Sequence, residues 1–162
     1  ICGRAPRVLI LGSMPGVASL EAVQYYAHPR NAFWPLMQAL FDIDVALPYH
    51  RRAAALKRHR IAVWDVLESC VRPGSLDAAI EPGSVRTNAL GAFLAEHRSV
   101  RAVFFNGQMA ATAYRRHVAP TLTAETAGVA TIRLPSTSPA NASWSFERKL
   151  EAWRQVACSV AD

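Results

Sequence analysis

Short apolar runs alternate with segments of helical spacing along this chain. Apolar runs of this length between helices are typical of buried strands in a parallel sheet that is covered on both faces. The predicted strands lie within Arg7–Ser13, Ile61–Val66, Arg101–Gly107 and Val129–Ser136. The predicted helices cover Ala32–Phe41, Tyr49–His59, Val85–His97, Gln108–Val118 and Trp144–Ala157. We therefore predict an α/β protein, a three-layer α/β/α sandwich around a four-stranded parallel sheet.

The length of 162 residues fits one domain, and we predict a single domain over residues 1–162. The sequence contains no internal repeat, low-complexity tract or linker. Residues Glu68–Gly83 hold two Pro-Gly pairs. This composition predicts a surface excursion and not a domain boundary.

Composition favours some cellular locations and binding partners over others. No apolar run reaches the roughly 18–20 residues of a membrane helix, and no signal peptide precedes the first predicted strand. Cys2, Cys70 and Cys158 form no CxxC pair, which favours a reducing, cytoplasmic location and argues against a zinc site or an iron–sulfur cluster. The formal charge of +6 suits a polyanion such as nucleic acid, although many basic proteins bind none. We expect no cofactor, no metal and a monomer.

The segments that directly follow the predicted strands carry most of the candidate functional residues. The segments at the strand ends are GSMPG (Gly12–Gly16), WDVLES (Trp64–Ser69), FNGQ (Phe105–Gln108) and LPSTSPAN (Leu134–Asn141). Ligands of open parallel sheets bind beyond the carboxyl ends of the strands. The aromatic stretch YYAHPRNAFW (Tyr25–Trp34) follows the first of these segments and is expected in the same loop system.

Several kinds of site have no sequence support. The chain has no GxGxxG, GxxxxGK[ST], GxSxG or HExxH motif, which argues against nucleotide cofactors, serine-hydrolase chemistry and a histidine-ligated metal. What remains is a pocket of aromatic rings, amides, hydroxyls and backbone with few carboxylates. Such a pocket suits a flat, hydrogen-bonding ligand, and a nucleobase that stacks on a ring and is read by an amide fits it well.

The four motifs GSMPG, YYAHPRNAFW, VFFNG and LPSTSPAN, in this order, resemble those of the uracil-DNA glycosylase superfamily. The similarity is greatest to the hypoxanthine-DNA (deoxyinosine) glycosylase branch, and it covers nearly the whole chain. The resemblance implies an enzyme of base excision repair, which flips deaminated bases out of DNA and hydrolyses their N-glycosidic bond. No lysine lies in any of the four motifs, so a lyase step has no obvious nucleophile and we predict a monofunctional enzyme. The implied partner is DNA containing deaminated bases, hypoxanthine or uracil.

The resemblance also implies roles for particular residues. Tyr26 would stack on the flipped base and Asn106 would read its edge, while the first motif would support the sugar and the water. The implied base-binding residues are Gly12, Ser13, Met14, Tyr26 and Asn106. The implied DNA-binding residues are Pro15, Gly16, His28, Ser136, Thr137, Ser138, Pro139, Ala140 and Asn141.

Two motifs depart from those of many superfamily members. Met14 stands where an Asp or Asn would hold the attacking water, and Leu134 stands where the best-known uracil enzymes have a catalytic histidine. A thioether cannot orient a water. The resemblance to the hypoxanthine branch assigns that role to Asn31, and Asp65 is the second candidate for activating the water.

Local structure offers other interpretations of the same residues. Asn106 before Gly107 is often a turn residue, and Asn31 before a helix is often an N-cap. The serines and threonine of the last motif could cap the final helix, and His28 could bond to loop backbone. The basic residues Arg51, Arg52, Lys57, Arg58 and Arg60 would usually form a solvated helix face. Two further functions stay open, a non-catalytic module that binds damaged DNA or a nucleobase, and a hydrolase of free nucleosides.

Overall fold

The computed structural model of the chain describes residues 1–161, and a four-stranded parallel sheet lies at its centre. All four predicted strands are present, as β1 (Val8–Gly12), β2 (Ile61–Asp65), β5 (Ala102–Asn106) and β6 (Ala130–Leu134). They are arranged in the order β2-β1-β5-β6. The predicted α/β class and parallel sheet are confirmed.

Helices cover both faces of this sheet. The helices are α1 (Val17–Ala22), α2 (Phe33–Phe41), α3 (Tyr49–Arg58), α4 (Leu90–Glu96), α5 (Gln108–Ala113), α6 (Ala124–Ala127) and α7 (Phe146–Ala161). One core cluster joins the sheet to α2, α3 and α7, and a second joins the opposite face to α4 and α5. The three-layer sandwich follows from this division.

The period-two alternation of side chains in β1 divides the core between the two faces. Val8 and Ile10 belong to the cluster with α2 and α7, whereas Leu9 and Leu11 belong to the cluster with α4 and α5. All four side chains are completely buried. A strand without a polar face is what a central position in a parallel sheet requires.

Strand register brings the chemically active segments together. Gly12 pairs with Asp65 across β1 and β2, and Asn106 pairs with Leu134 across β5 and β6. Because the strands are parallel, the residues that follow these four positions emerge at one edge of the sheet. The site is built at that edge.

The predicted helix over Val85–His97 is wrong in its first five residues. Arg86–Thr87 forms a short strand, β4, which pairs antiparallel with β3 (Leu67–Ser69). Asn88 holds the chain extended, because its Nδ2 donates to the carbonyl of Asp65 at 2.9 Å and its backbone N–H donates to that of Val66 at 3.0 Å. The helix α4 therefore begins at Leu90.

Other boundaries differ by a few residues for local reasons. The last helix begins at Phe146, since Ser145 Oγ accepts the backbone N–H of Arg148 at 3.3 Å, and it continues to Ala161. The segment after α5 changes to a π-helix over Tyr114–Val118. The helices α1 and α6 were not predicted. Among residues 1–161, no helix has the length and apolar character that crossing a membrane requires.

Candidate active site

A pocket lies at the carboxyl edge of the sheet, where the predicted motifs meet. Its volume is about 180 Å³. The pocket contains every predicted site residue except Ala140 and Asn141, which lie in an adjoining groove. Its lining is Gly12, Ser13, Met14, Pro15, Gly16, Val17, Ala18, Ser19, Tyr25, Tyr26, His28, Asn31, Asp65, Ser75, Asp77, Asn106, Ser136, Thr137, Ser138 and Pro139.

Thr137 fixes the orientation of the Asn106 amide. The Nδ2 of Asn106 donates to Thr137 Oγ1 and its Oδ1 accepts the Thr137 backbone N–H, both at 2.8 Å. Because a backbone N–H can only donate, a flipped amide would place two donors against each other. One N–H and one lone pair of the Asn106 amide remain available beyond these two bonds.

The loop that carries Thr137 also joins two of the motifs. Thr137 is completely buried, and its carbonyl accepts the backbone N–H of Ala32 at 3.0 Å. Behind the loop, the indole N–H of Trp153 donates to the Pro135 carbonyl at 3.0 Å, and Lys149 Nζ donates to the Asn141 carbonyl at 3.1 Å. Helix α7 thus holds the LPSTSPAN loop from behind.

Tyr26 forms one wall of the pocket. Its ring stacks on Phe33, with the ring centroids 4.1 Å apart, and its backbone lies in the left-handed region at φ +56°. The hydroxyl is buried beside Gly12 and close to the Asn106 amide, and it makes no hydrogen bond of standard geometry with the described residues. Burial raises the pKa of this phenol, and the Asp65 charge raises it further. The hydroxyl is therefore a neutral donor at physiological pH.

Asn31 and His28 lie on the same loop, and backbone bonds orient both. Asn31 Oδ1 accepts the N–H of Phe33 at 2.9 Å, but the N-cap of α2 is Ala32, so Asn31 precedes the position that the N-cap interpretation gave it. Both side chains also line the pocket. His28 Nδ1 accepts the N–H of Arg30 at 3.1 Å. In a neutral ring this bond places the proton on Nε2, which is then a donor.

Asp65 is a buried carboxylate at the end of β2. Burial is the main cause that raises its pKa, to about 6, and a hydrogen bond from Tyr25 opposes the shift. The neighbouring strand leaves room for it only because position 12 is a glycine, since a Cβ there would lie 2.5 Å from Asp65 Oδ1. Asp65 is thus a buried carboxylate with a raised proton affinity, hydrogen-bonded to Tyr25.

The excursion between β3 and β4 also reaches the pocket, a contact that its prediction as a surface excursion did not include. Ser13 Oγ donates to both carboxylate oxygens of Asp77, at 2.8 and 2.7 Å. Arg72 lies 3.5 Å from the same carboxylate and donates to the Pro15 carbonyl. Ser75 Oγ accepts the N–H of Val17 at 2.9 Å. The GSMPG loop is therefore fastened to this excursion.

Comparison with known proteins decides the family. The sequence matches the uracil DNA glycosylase superfamily over residues 1–157. The chain belongs to the uracil DNA glycosylase superfamily. It is 34% identical to a hypoxanthine DNA glycosylase of Methanosarcina acetivorans over 92% of this chain and 89% of that protein. It is 36% identical to the Methanosarcina barkeri protein of the same name, over 62% of this chain and 63% of that protein.

A solved structure of the superfamily has the same fold. The solution structure of a uracil DNA glycosylase homologue from Methanosarcina acetivorans superposes with a TM-score of 0.80 at 30% identity. The superposition covers 99% of this chain and 94% of the other. The predicted resemblance to the superfamily is confirmed.

Within the superfamily fold, Met14 contributes packing. It lies partly buried against the core cluster of α4 and α5 while it lines the pocket. Among residues 1–161, no group of His, Cys, Asp or Glu is arranged to hold a metal ion. Ser13, Asp65 and Asp77 are polar groups in or beside the first motif.

Sequence reasoning missed Ser75 and Asp77 as pocket residues. Asp77 is 64 positions from Ser13, in a segment rich in Gly, Pro and Ser with no strand or helix pattern. The available signal was the run LDAAI, in which a lone acid stands between apolar residues within a long polar loop. That signal alone does not connect the loop to the first motif.

Proposed function

We propose that the protein is a DNA glycosylase that hydrolyses the N-glycosidic bond of deaminated bases in DNA, hypoxanthine or uracil or both. The observation that carries this proposal is the orientation of Asn106 by Thr137 in a pocket beside Tyr26. Membership of the superfamily and similarity to two proteins named hypoxanthine DNA glycosylase support it.

The oriented amide explains a preference for deaminated bases. Hypoxanthine and uracil both present a carbonyl beside a ring N–H, and the remaining N–H of Asn106 can donate to that carbonyl. Adenine and cytosine present an amino group beside a bare ring nitrogen, which is the reverse pattern. Since the backbone N–H of Thr137 prevents the Asn106 amide from flipping, the parent bases would face mismatched groups.

The pocket provides a stacking surface and space for a ring. The Tyr26 ring is supported on one side by Phe33, so its other face is available for a base. A cavity of about 150 Å³ takes up benzene, so a volume of about 180 Å³ suits a single ring and leaves a purine partly in the open mouth.

Asn31 is proposed to hold the attacking water. Its carbonyl uses one lone pair for the N–H of Phe33, which leaves the second lone pair for a water. As the glycosidic bond breaks, positive charge grows on the sugar and negative charge on the base. The carboxylate of Asp65 would stabilise the sugar, and the remaining N–H of Asn106 would stabilise the departing base.

The LPSTSPAN loop and the first motif are proposed to grip the DNA. Ser136 Oγ accepts the N–H of Ser138 at 3.2 Å, which leaves the hydroxyl proton free for a phosphate oxygen. Pro139, which lines the pocket, and Ala140 and Asn141, which line the adjoining groove, are proposed to enter the space that a flipped base leaves. Pro15, Gly16 and His28 also line the pocket and are proposed to contact the DNA.

The chain is proposed to act as one monomeric domain over residues 1–162 in the cytoplasm, with no cofactor. Both core clusters pack on the same sheet, in keeping with a single domain. Cys2, Cys70 and Cys158 are all free thiols, in keeping with a reducing location. Sedimentation of the purified protein tests the monomer.

The test is base excision from labelled duplexes that hold one inosine or one deoxyuridine. We expect release of the base and strand breaks only after alkali, because a monofunctional glycosylase leaves the sugar intact. Strand breaks without alkali would contradict monofunctional action. No release of either base at stoichiometric enzyme would contradict the enzyme and favour a binding module.

Asn31→Ala is expected to lower the single-turnover excision rate by roughly 100-fold, because one positioned hydrogen bond in the transition state contributes about that much. Asn31→Asp is the matched variant, as it keeps an oxygen for both the Phe33 N–H and the water. It should retain more activity than the alanine variant. Equal rates for wild type and Asn31→Ala would show that another group positions the attacking water.

A further inference from the structure

From the contacts of the GSMPG loop we infer that Ser13 and Asp77 form a proton relay for the attacking water. The inference rests on the proposed glycosylase function and deepens it. Met14 occupies the position from which many superfamily members hold the water, and its thioether cannot do so. The relay supplies the missing acceptor from two separate segments, the end of β1 and the excursion between β3 and β4.

The hydrogen bond of Ser13 defines what its oxygen can do in the pocket. The single hydroxyl proton is shared between Asp77 Oδ1 and Oδ2, at 2.8 and 2.7 Å. A serine hydroxyl has one proton and two acceptor lone pairs, so the Ser13 oxygen can only accept a further hydrogen bond from the pocket side. Ser13 is 8% exposed and lines the pocket. It therefore presents an acceptor to a water or to a base N–H.

The Asp77 carboxylate, which accepts the Ser13 hydrogen bond, is positioned by Arg72 and has a raised proton affinity. Arg72, whose side chain is 5% exposed, lies 3.5 Å from Asp77 Oδ1 and donates from Nε to the Gly74 carbonyl at 3.1 Å. A second bond from Arg72 to the Pro15 carbonyl joins the excursion to the GSMPG loop. Burial raises the pKa of Asp77, against the Ser13 hydrogen bond and the Arg72 charge. A carboxylate with a raised pKa is a stronger proton acceptor.

The proposed step balances without any further reactant. The water oxygen bonds to C1′ of the sugar as the bond from C1′ to the base nitrogen breaks, and the electron pair of that bond leaves with the base. The water proton passes to Ser13 Oγ, and the Ser13 proton passes to Asp77. Asn31 aligns the same water through its carbonyl, and Asn106 donates to the departing base. Asp77 returns its proton to solvent after the product leaves, and the base anion takes up a proton from solvent.

The test compares Ser13→Ala, Asp77→Asn and the double variant in single-turnover excision of hypoxanthine from an inosine duplex. Asparagine at position 77 still accepts the Ser13 hydrogen bond but cannot take the proton. We expect each single variant to lose roughly 100-fold in rate, and the double variant to lose no more than the slower single, since the residues of a relay act as a unit. Affinity for a duplex with an abasic-site analogue should be unchanged. Asp44→Asn, which removes an exposed carboxylate elsewhere, is the control and should excise at the wild-type rate.

Three results would overturn the relay. The first is excision by Asp77→Asn at the wild-type rate. The second is a double variant whose loss is the product of the two single losses, which would show that Ser13 and Asp77 act independently. Rate, DNA affinity and unfolding temperature could also fall together, which would leave Asp77 as a structural clasp only. Wild-type protein that releases neither base contradicts the proposed function itself. Wild-type release with an unaffected Asp77→Asn variant contradicts the relay alone.

Discussion

At the scale of single residues, backbone groups orient most of the polar side chains in the pocket. Asn106 is held by the N–H of Thr137, Asn31 by that of Phe33 and His28 by that of Arg30. In each case the backbone donor uses one acceptor of the side chain and leaves a defined group for a ligand. A site that is oriented before the ligand arrives loses less free energy in ordering its side chains when the ligand binds.

Burial of the Asp65 carboxylate lowers the free energy of unfolding at neutral pH. At neutral pH its carboxylate is ionised although it is 5% exposed at the end of a buried strand. Burial raises its pKa from 3.8 to about 6. Such a cost at the site is consistent with selection for function at the expense of stability.

Asp65→Asn is expected to stabilise the protein at pH 7.5 and to have little effect at pH 4. A raised folded-state pKa means that the native carboxyl binds its proton more tightly than the unfolded one. Wild-type stability from this group is therefore greatest below about pH 4, falls as the pH rises to about 6, and stays at the lower level above that. The shift corresponds to about 3 kcal/mol at most.

Urea unfolding of wild type and Asp65→Asn at the two pH values measures this effect. Other titrating groups contribute equally to both proteins and cancel in the difference. The control is Asp44→Asn, an exposed carboxylate, which should give the same small difference at both pH values. A stability gain from Asp65→Asn that is as large at pH 4 as at pH 7.5 would show that its charge is not the cause.

At the scale of elements, the junction between β5 and α5 sets the position of the DNA-gripping loop. Gly107 follows Asn106 at φ +102°, in a region that favours glycine, and its N–H donates to the Leu134 carbonyl at 3.0 Å. A Cβ at this position would lie 3.0 Å from the Cβ of Ser136. The turn and the LPSTSPAN loop therefore pack directly against each other.

Gly107→Ala is expected to destabilise the protein by about 1–3 kcal/mol, because the backbone is strained and Ser136 must move. Excision should fall more than stability explains, since the same shift displaces Ser136 and the Asn106 amide. Gly128→Ala is the matched control, because its φ is −78° and no atom lies within 4 Å of an added Cβ. Thermal unfolding and excision rates measure both variants. Equal behaviour of the two alanine variants would contradict the close packing of the loop.

At the scale of the whole molecule, the sheet could be predicted from sequence and its order could not. The strands were evident because each is a short, almost wholly apolar run between helices, as in Val8–Leu11. The order β2-β1-β5-β6 depends on how the crossovers pack, which the runs themselves do not encode. The pocket motifs were found because strand ends in such a sheet meet at one edge.

The parts that were missed depend on contacts between distant segments. The hairpin of β3 and β4 is stabilised by Asn88, whose side chain bonds to the carbonyls of Asp65 and Leu67. The bond between Ser13 and Asp77 joins loops with no periodic pattern. A hydrophobic pattern reports which residues are buried, and it carries no information about which polar loops pack together.

Basic residues at the carboxyl ends of the strands should contribute more to binding of DNA phosphates than basic residues at the amino ends. Arg30 is exposed between His28 and Asn31, beside the pocket, whereas Arg58 is exposed at the end of α3, just before β2 begins. The five residues of β2 separate the start of that strand from the site edge, which is about 17 Å of extended chain. That distance exceeds the Debye length of about 8 Å at physiological salt.

Arg30→Ala should therefore weaken binding to a duplex with an abasic-site analogue and reduce the slope of log Kd against log salt by about 1, the contribution of one phosphate contact. Arg58→Ala carries the same change of charge and should leave both the affinity and the slope unchanged. Fluorescence anisotropy over a range of salt concentrations measures both quantities. Equal losses in the two variants would mean that the net charge of +6 acts on DNA as a whole and not through the site edge. A flat salt response of the wild type would contradict DNA as the partner, because binding to phosphates releases counterions.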